Sequence, residues 1–286
     1  MAEISAILER AKFLRESKWR PPEFVEWAPE IVAFLEKNLW APFIGALLDQ
    51  QIKAEHAWAF PKWLNEKFGR LDGDLILELK RERQLKKILE EYMESKWPSR
   101  MREKERKRWI ERMNNWLPQA IMFLKSNNRN PITMFENRKY AVQELYFLLR
   151  QIPGFGPKKT KMIVRDFVYS DIGFSKHKFC WYEQVKKELP NFGIEKGSIG
   201  KLDVPIDVLV KIVFKRFVFG QDYVPKRDDY SIAEDIIMFA KLAFPEFPAR
   251  LDELFWYVGH VWCKAKPACE ECRLRDRCAY RESRKS

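Results

Sequence analysis

Several kinds of sequence feature are scarce or missing, and each absence excludes a class of protein. Only 11 of the 286 residues are glycine, and no Gly-X-Y period is present, which excludes collagen-like and flexible low-complexity chains. No uninterrupted apolar run approaches the ~18 residues that a membrane-spanning helix requires. Hydrophobic residues make up 46% of the chain, which excludes intrinsic disorder by composition. We therefore expect a folded chain of one large or two ordinary domains, with no membrane partner.

Common catalytic and targeting motifs are also absent. The chain has no G-x-x-x-x-G-K-[ST] sequence, and its three histidines, His56, His177 and His260, cannot form H-E-x-x-H. These absences exclude a P-loop nucleotide site and a zincin metalloprotease site. The segment MAEISAILERAKFLRESK is amphipathic and contains acids, unlike a signal or transit peptide. We expect an intracellular protein, cytoplasmic or associated with the nucleoid.

The charge of the chain is strongly positive. Lys and Arg number 53 against 41 Asp and Glu, giving a net charge of +12. Such an excess makes nucleic acid the leading class of partner, with a merely soluble basic surface as the alternative.

The hydrophobic periodicity is helical almost throughout, and alternating runs typical of strands are scarce. We therefore predict an all-α fold. The predicted helices are 2–18, a second one opening at Pro22, one following Pro42, 76–97, 99–117, about 136–150, about 205–219, 231–243 and 249–260. Residues 169–204 show only short segments.

A glycine-rich turn joins two of the predicted helices at Ile152-Pro153-Gly154-Phe155-Gly156-Pro157. We expect Gly154 and Gly156 because a turn this tight needs positive φ and close approach of the backbone. Pro157 suits the first turn of the next helix. The free N–H groups and the dipole at that helix start favour an anion, which on a basic protein is a DNA phosphate. An ordinary αα-corner is the alternative.

Lys158 lies just inside that second helix. A lysine is a nucleophile only as the neutral amine, which the helix dipole, the adjacent Lys159 and desolvation in a cleft all favour. An amine so placed can form a Schiff base with an aldehyde. The alternative is that Lys158 and Lys159 are two cations that contact phosphates.

Four of the five cysteines crowd near the C-terminus in the pattern C-x5-C-x2-C-x5-C: Cys263, Cys269, Cys272 and Cys278. Without a secretory signal, such a cluster predicts a metal site rather than a disulfide framework. The single central C-x2-C favours a cubane iron–sulfur cluster over zinc, although zinc stays open. Lys264 and Lys266 add positive charge to the loop, either to face DNA or to keep the surface soluble.

Four segments in the same order resemble one family, the helix-hairpin-helix DNA glycosylases. Ile152-Pro153-Gly154-Phe155-Gly156-Pro157-Lys158 resembles their L-P-G-V-G-x-K hairpin. Residues 248–280 resemble the segment that ends endonuclease III and its relatives in a [4Fe–4S] loop. Leu47-Leu48-Asp49-Gln50-Gln51 is similar to the family's L-L-x-x-Q helix, and residues 203–210 to its V-D-x-x-V segment.

The resemblance implies two helical lobes. One comprises residues 1–40 and 203–286 and carries the cysteine loop, 263–278. The other comprises residues 41–168 and ends in the hairpin, about 140–168, with an insertion at 169–202 near the active site. A monomer is expected.

The resemblance also implies a DNA repair enzyme of base excision repair that acts on double-stranded DNA with abasic or damaged sites. Lys158 would form the Schiff base for AP lyase activity, with DNA N-glycosylase activity where a damaged base is present. Asp207 would complete the catalytic site, and Gln51 would fill the gap left by the extruded nucleotide. Gly154, Gly156, Lys159, Lys264 and Lys266 would contact DNA. The four cysteines would hold the [4Fe–4S] cluster. For Gln51, a satisfied core amide is the alternative.

The sequence departs from the family pattern at three points. The first cysteine spacing is x5 where endonuclease III has x6. Asp207 follows Lys158 by 49 positions, much farther than usual. Val208 and Leu209 replace the usual Thr-His. Asp203 and Asp171 therefore stay as alternatives to Asp207, and a non-catalytic DNA-binding protein with iron–sulfur or zinc stays as the alternative function.

Overall fold

The computed structural model describes residues 4–17, 19, 21, 28–50, 52–96, 103–173, 179–223 and 230–284. Within these ranges the chain is helical almost throughout, which confirms the predicted all-α class. The one sheet that the described residues form is a parallel pairing of two residues in β1 (Lys139–Tyr140) with two in β2 (Gly193–Ile194).

The helices follow one another with short connections. They are α1 (Ile4–Glu16), α2 (Pro29–Lys37), α3 (Ala41–Leu48), α4 (Ala54–Phe68), α5 (Gly73–Arg81), α6 (Leu85–Lys96), α7 (Glu103–Ser126), α8 (Val142–Arg150), α9 (Pro157–Asp171), α10 (Cys180–Glu188), α11 (Val208–Phe219), α12 (Tyr230–Ala243), α13 (Arg250–Val261) and α14 (Ala279–Glu282). Two 3₁₀ turns, Lys196–Lys201 and Arg275–Arg277, complete the regular structure.

The buried side chains form two separate cores, which define two lobes. The larger lobe holds α2 to α10 and the segment up to Leu202. At its centre the fully buried Trp181 meets the ring of Phe43 at 5.6 Å and that of Phe167 at 5.7 Å, both in edge-to-face geometry. Edge-to-face aromatic pairs add to the free energy gained by burying these large side chains.

The smaller lobe holds α1 and α11 to α14. The two ends of the chain meet in it, because α1 packs on α12 and Arg10 reaches the C-terminal segment. The Arg10 guanidinium donates to the carbonyl oxygen of Arg277 at 2.9 Å and pairs with Glu282 at 2.7 Å. The N-terminal helix is thereby tied to the cysteine loop.

Several boundaries differ from the sequence interpretation. The predicted helix 76–97 is two helices, because the chain turns at Arg83, which has a φ of 60°. Helix α7 continues through Pro118 to Ser126 instead of ending at residue 117, since Pro118 packs into the core. Pro22 and Pro98 lie outside the described residues. The helices predicted after residue 203 are confirmed to within about three residues at each end.

Two segments lie differently from the sequence grouping. Residues 1–40 were assigned to the lobe of the cysteine loop, but Leu35 of α2 is buried in the larger core. Residues 169–202 were interpreted as an insertion beside the site. Their helix α10 supplies Trp181 to the centre of the larger lobe, so this segment forms part of its core.

No single helix among the described residues combines the length and apolarity needed to cross a membrane. Helices α2 and α3 reach those values only when taken together, and they meet at a bend of 118°.

Candidate active site and cysteine loop

The hairpin between α8 and α9 is anchored in the larger core by two buried side chains, Ile152 and Phe155. Gly154 between them has a φ of 90°, which only glycine adopts readily. A Cβ at Gly154 would lie 2.9 Å from Leu47 Cδ2. Its carbonyl oxygen accepts a hydrogen bond from Gln50 Nε2 at 3.0 Å. Gly154 therefore allows the hairpin to pack directly against the end of α3.

Gly156 serves a different purpose from Gly154. Its φ is −68°, so the expectation that both glycines need positive φ is wrong for Gly156. A Cβ built at Gly156 would meet no protein atom within 4 Å. The residue precedes Pro157 at the start of α9, where the first N–H groups have no acceptor within the helix. The open space leaves this helix start accessible to an anion of another molecule.

The structure brings Lys158 and Asp207 together across 49 positions of the chain. Lys158 Nζ lies 3.3 Å from Asp207 Oδ2. The Lys158 side chain is 47% exposed, whereas that of Asp207 is 16% exposed. Asp207 is held in place because its other oxygen, Oδ1, accepts a hydrogen bond from the N–H of Val210 at 2.9 Å as the N-cap of α11. The pair joins the larger lobe to the smaller one.

The two alternative carboxylates have other partners. Asp203 lies 3.5 Å from Lys241 of α12. Asp171, at the end of α9, accepts a hydrogen bond from the Tyr182 hydroxyl. Of the three aspartates considered, Asp207 is the one that pairs with Lys158.

Lys159 does not lie on the DNA-facing surface, and its interpretation as a phosphate contact is wrong. Only 9% of the residue is exposed, and its Nζ donates to the carbonyl oxygen of Leu47. Burial lowers the pKa of Lys159 to about 7, although the negative charge of Asp49 opposes this change. Because successive helical residues point about 100° apart, Lys159 faces the core when Lys158 faces the cleft.

The segment from Leu47 to Gln51 lies against the hairpin. Asp49 is buried, accepts a hydrogen bond from Trp58 Nε1 at 3.3 Å, and has its pKa raised by burial. Gln50 bonds the hairpin as described above. Gln51, the residue expected to enter the duplex, lies outside the described residues, so neither its expected role nor its alternative as a core amide is tested.

A buried charged group lies directly behind the Lys158–Asp207 pair, and the sequence analysis did not identify it. Arg165 of α9 forms ion pairs with Asp252 of α13 and with Asp166, the latter at 2.8 Å. Burial raises the pKa of Asp252 to about 7, with Arg165 opposing the rise and Asp207 adding to it. The available signal was that Arg165 follows Lys158 by seven residues, which places both on one side of the helix.

The four clustered cysteines share the loop between α13 and α14. They are free thiols and interact electrostatically with one another. Backbone and side-chain donors approach two of the sulfurs: the N–H of Leu274 lies 3.4 Å from Cys272 Sγ, and Arg216 Nη1 lies 3.6 Å from Cys263 Sγ. Burial raises the pKa of Cys263 and Cys272. Buried thiols with such donors fit a thiolate-bound metal group, because binding deprotonates them and the donors stabilise the sulfur charge.

Among the described residues, no three or more His, Cys, Asp or Glu side chains converge on a position for a metal ion. Arg216 organises the loop in another way. Its Nη1 donates to the carbonyl oxygens of Cys263 at 3.2 Å and Lys264 at 2.7 Å, and its Nη2 pairs with Asp222 at 2.7 Å. The loop is thus fixed to α11 by a buried cation.

Lys264 and Lys266 are exposed in the first half of this loop. The arginines of the second half have acidic neighbours instead: Arg275 lies 3.4 Å from Asp276, and Arg277 lies 3.9 Å from Glu9. The two lysines are therefore better placed than these arginines to meet a phosphate backbone.

Comparison with known proteins gives no assignment. No protein-family model, curated protein or solved structure matches the chain, so its function has to be inferred from the site itself.

Proposed function

We propose that the protein is a DNA lyase that cleaves abasic sites, with the fold of the helix-hairpin-helix DNA glycosylases. The observation that carries this proposal is the 3.3 Å approach of Lys158 Nζ to Asp207 Oδ2 at the lobe boundary. An amine beside a fixed carboxylate, on the first turn of a helix, is the pair that Schiff-base chemistry on a sugar aldehyde requires.

The reaction follows from these two groups. Asp207 accepts a proton from Lys158, and the neutral amine attacks the C1′ aldehyde of the ring-opened sugar. Loss of water from the carbinolamine gives an iminium, which acidifies the proton at C2′. Removal of that proton expels the 3′ phosphate and cleaves the strand on the 3′ side, and hydrolysis of the imine then frees Lys158.

Excision of a damaged base is a further reaction of the same amine. If the base is still attached, attack of Lys158 at C1′ expels it and leaves the same imine. This reaction also needs a pocket that recognises the extruded base, whereas the lyase reaction needs only the amine, the carboxylate and the sugar.

Several surface features support double-stranded DNA as the partner. The helix start at Gly156 is open and carries free N–H groups that can bind a phosphate. Lys264 and Lys266 are exposed on the neighbouring lobe, and the whole chain carries a net charge of +12. Phosphate contacts of this kind bind DNA largely independently of sequence.

We further propose that Cys263, Cys269, Cys272 and Cys278 hold a [4Fe–4S] cluster. Such a cluster would cross-link the loop and present Lys264 and Lys266 in a fixed position. Purified protein should then be brown, with broad absorption near about 400 nm and roughly four irons per chain, as for a cubane held by four thiolates. A colourless protein that contains one zinc would reject the cluster and favour a zinc-bearing adaptor.

Borohydride trapping tests the lyase proposal. A duplex with one abasic site should become covalently attached to the wild-type protein on reduction, and an undamaged duplex should not. Lys158→Ala should abolish the adduct. Lys161→Ala, one turn further along α9 and electrostatically coupled to Asp203, is the matched control and should retain it.

Two results would contradict the proposal. An adduct that persists in Lys158→Ala would exclude Lys158 as the nucleophile. Normal binding of abasic DNA by the wild-type protein with neither trapping nor strand cleavage would leave a non-catalytic DNA-binding protein as the function.

A further inference from the structure

One side of α9 makes a series of polar contacts with the smaller lobe. Lys158 meets Asp207 at the start of the helix. Arg165, two turns later and about 10 Å further along the axis, meets Asp252. Tyr169 donates to Glu253 at 2.7 Å beyond that. The helix of the proposed nucleophile is therefore fixed to the other lobe at more than one point.

The middle contact is the most buried of the three. The side chains of Arg165 and Asp252 are 13% and 5% exposed, and a second carboxylate, Asp166, also pairs with Arg165. Burying such a group costs desolvation free energy that an apolar pair of similar volume would avoid. Stability alone is therefore a poor reason for an ion pair here, and a positional role is the better one.

The contact at Asp252 is connected to Asp207 through the packing of α13 on α11. A Cβ added to Gly259 of α13 would lie only 3.0 Å from Leu209 Cβ of α11, so the two helices approach closely. Leu209 lies two residues after Asp207. A displacement of α13 relative to α9 would therefore be transmitted to the first turn of α11 and to Asp207.

These contacts close a loop from Lys158 along α9 to Arg165, across to Asp252, through α13 to α11, and back by Asp207 to Lys158. We propose that Arg165 and Asp252 are positioning residues that hold the Asp207 carboxylate against the Lys158 amine. This inference rests on the proposed function, because it assigns these residues to the same reaction.

The charges around Asp252 make this role sensitive to pH. From α9 it faces Arg165, Asp166 and Lys158, and from α11 it faces Asp207. Because burial raises the pKa of Asp252 to about 7, the carboxylate that pairs with Arg165 is formed mainly above neutral pH. We expect an inflection near pH 7 in the trapping rate of the wild-type protein.

Rate measurements at saturating abasic DNA test the positioning role. Arg165→Met and Asp252→Asn should each lower the trapping rate about 10–100-fold, as expected for a misplacement of about 1 Å. Asp252→Asn should also lose the inflection near pH 7. Tyr169→Phe removes a hydrogen bond between the same two helices without touching Asp252, and should stay within about twofold of wild type with the inflection retained.

A second variant separates positioning from folding. The double substitution Arg165→Met with Asp252→Leu replaces the ion pair by apolar groups and should unfold at a temperature close to that of wild type. It should nevertheless trap abasic DNA as slowly as the single variants. Wild-type rates in the folded double variant would overturn the inference.

Crystal structures of the wild-type protein and the double variant give a readout that does not depend on activity. We expect Lys158 Nζ and Asp207 Oδ2 to lie within hydrogen-bond distance in the wild type and to be separated in the variant. An unchanged distance in the variant would overturn the positioning role even if the lyase proposal holds. If wild-type protein traps no abasic DNA while the variant distance increases, the lyase proposal fails and the positioning role stands.

Discussion

The cleft side and the core side of α9 begin with adjacent lysines that do opposite things. Lys158 is 47% exposed and lies beside a carboxylate of the other lobe, whereas Lys159 is 9% exposed and hydrogen-bonded to the end of α3. Their chemistry is identical, and only the direction in which the helix points them differs. The cleft side should therefore control the reaction, and the core side should control the stability of the hairpin.

The largest effect is expected on the cleft side, at Asp207. Asp207→Asn should lower the trapping rate by about 10²–10⁴-fold, because an amide cannot accept the amine proton. The fold should be kept, since asparagine caps a helix about as well as aspartate. Rates are measured by borohydride trapping, and stability by urea denaturation.

Asp203→Asn and Asp171→Asn are the matched controls for Asp207→Asn. Their carboxylates contact Lys241 and Tyr182 instead of Lys158. Loss of trapping in either control, with retention in Asp207→Asn, would reassign the carboxylate.

On the core side, Lys159→Ala should lower the free energy of unfolding by about 3–5 kcal/mol, because it leaves Asp49 buried without its cation. The salt dependence of DNA binding should stay unchanged, since a buried amine releases no counterion. Lys264→Ala is the contrast and should reduce the salt slope by about 0.9 with little change in stability. A reduced slope in Lys159→Ala with wild-type stability would reverse the assignment of the two sides.

The two glycines of the hairpin sharpen the same comparison. Gly154→Ala should cost about 1–3 kcal/mol of stability, because alanine is strained at a φ of 90° and its Cβ meets Leu47. Gly156→Ala should leave stability within about 0.5 kcal/mol. It should weaken DNA binding several-fold, because the added methyl group occupies the space in front of the helix start. Equal DNA affinity in Gly156→Ala and wild type would remove the phosphate from this position.

The smallest effect concerns the pH dependence of stability. The pKa of Asp252 is about 7 in the folded protein and near 3.8 in the unfolded chain, so the folded state binds this proton more tightly. The free energy of unfolding should therefore fall as pH rises from about 4 to 7, by up to about 1.4 kcal/mol per pH unit. Asp252→Asn should reduce this slope in urea denaturation. A slope equal to that of wild type would assign it to Asp49 and Asp166, whose pKa values burial also raises.

Much of the fold could be predicted from the sequence, because helical periodicity and the proline and glycine positions are local signals. The helices after residue 203 and the turn at Gly154 are examples. The break at Arg83 was missed because positive φ at an arginine has no local signature. The core position of Trp181 was missed because residues 169–202 are short and irregular, and only tertiary contacts reveal that they complete the larger core.

The site was predictable only in part, for a related reason. Lys158 and Asp207 could be singled out by their motifs, although their contact spans 49 positions. The burial of Lys159 and the pairing of Arg165 with Asp252 depend on how two lobes pack. No spacing along the chain encodes which side of α9 faces the cleft until the partner helices are known.

The most direct measurement of the central claim is to locate the sugar on the protein after borohydride reduction. Digestion of the adduct and mass spectrometry of its peptides should find the reduced deoxyribose remnant on Lys158. A remnant on Lys159, Lys161 or any other lysine, or an unmodified protein after exposure to abasic DNA under reducing conditions, would contradict it.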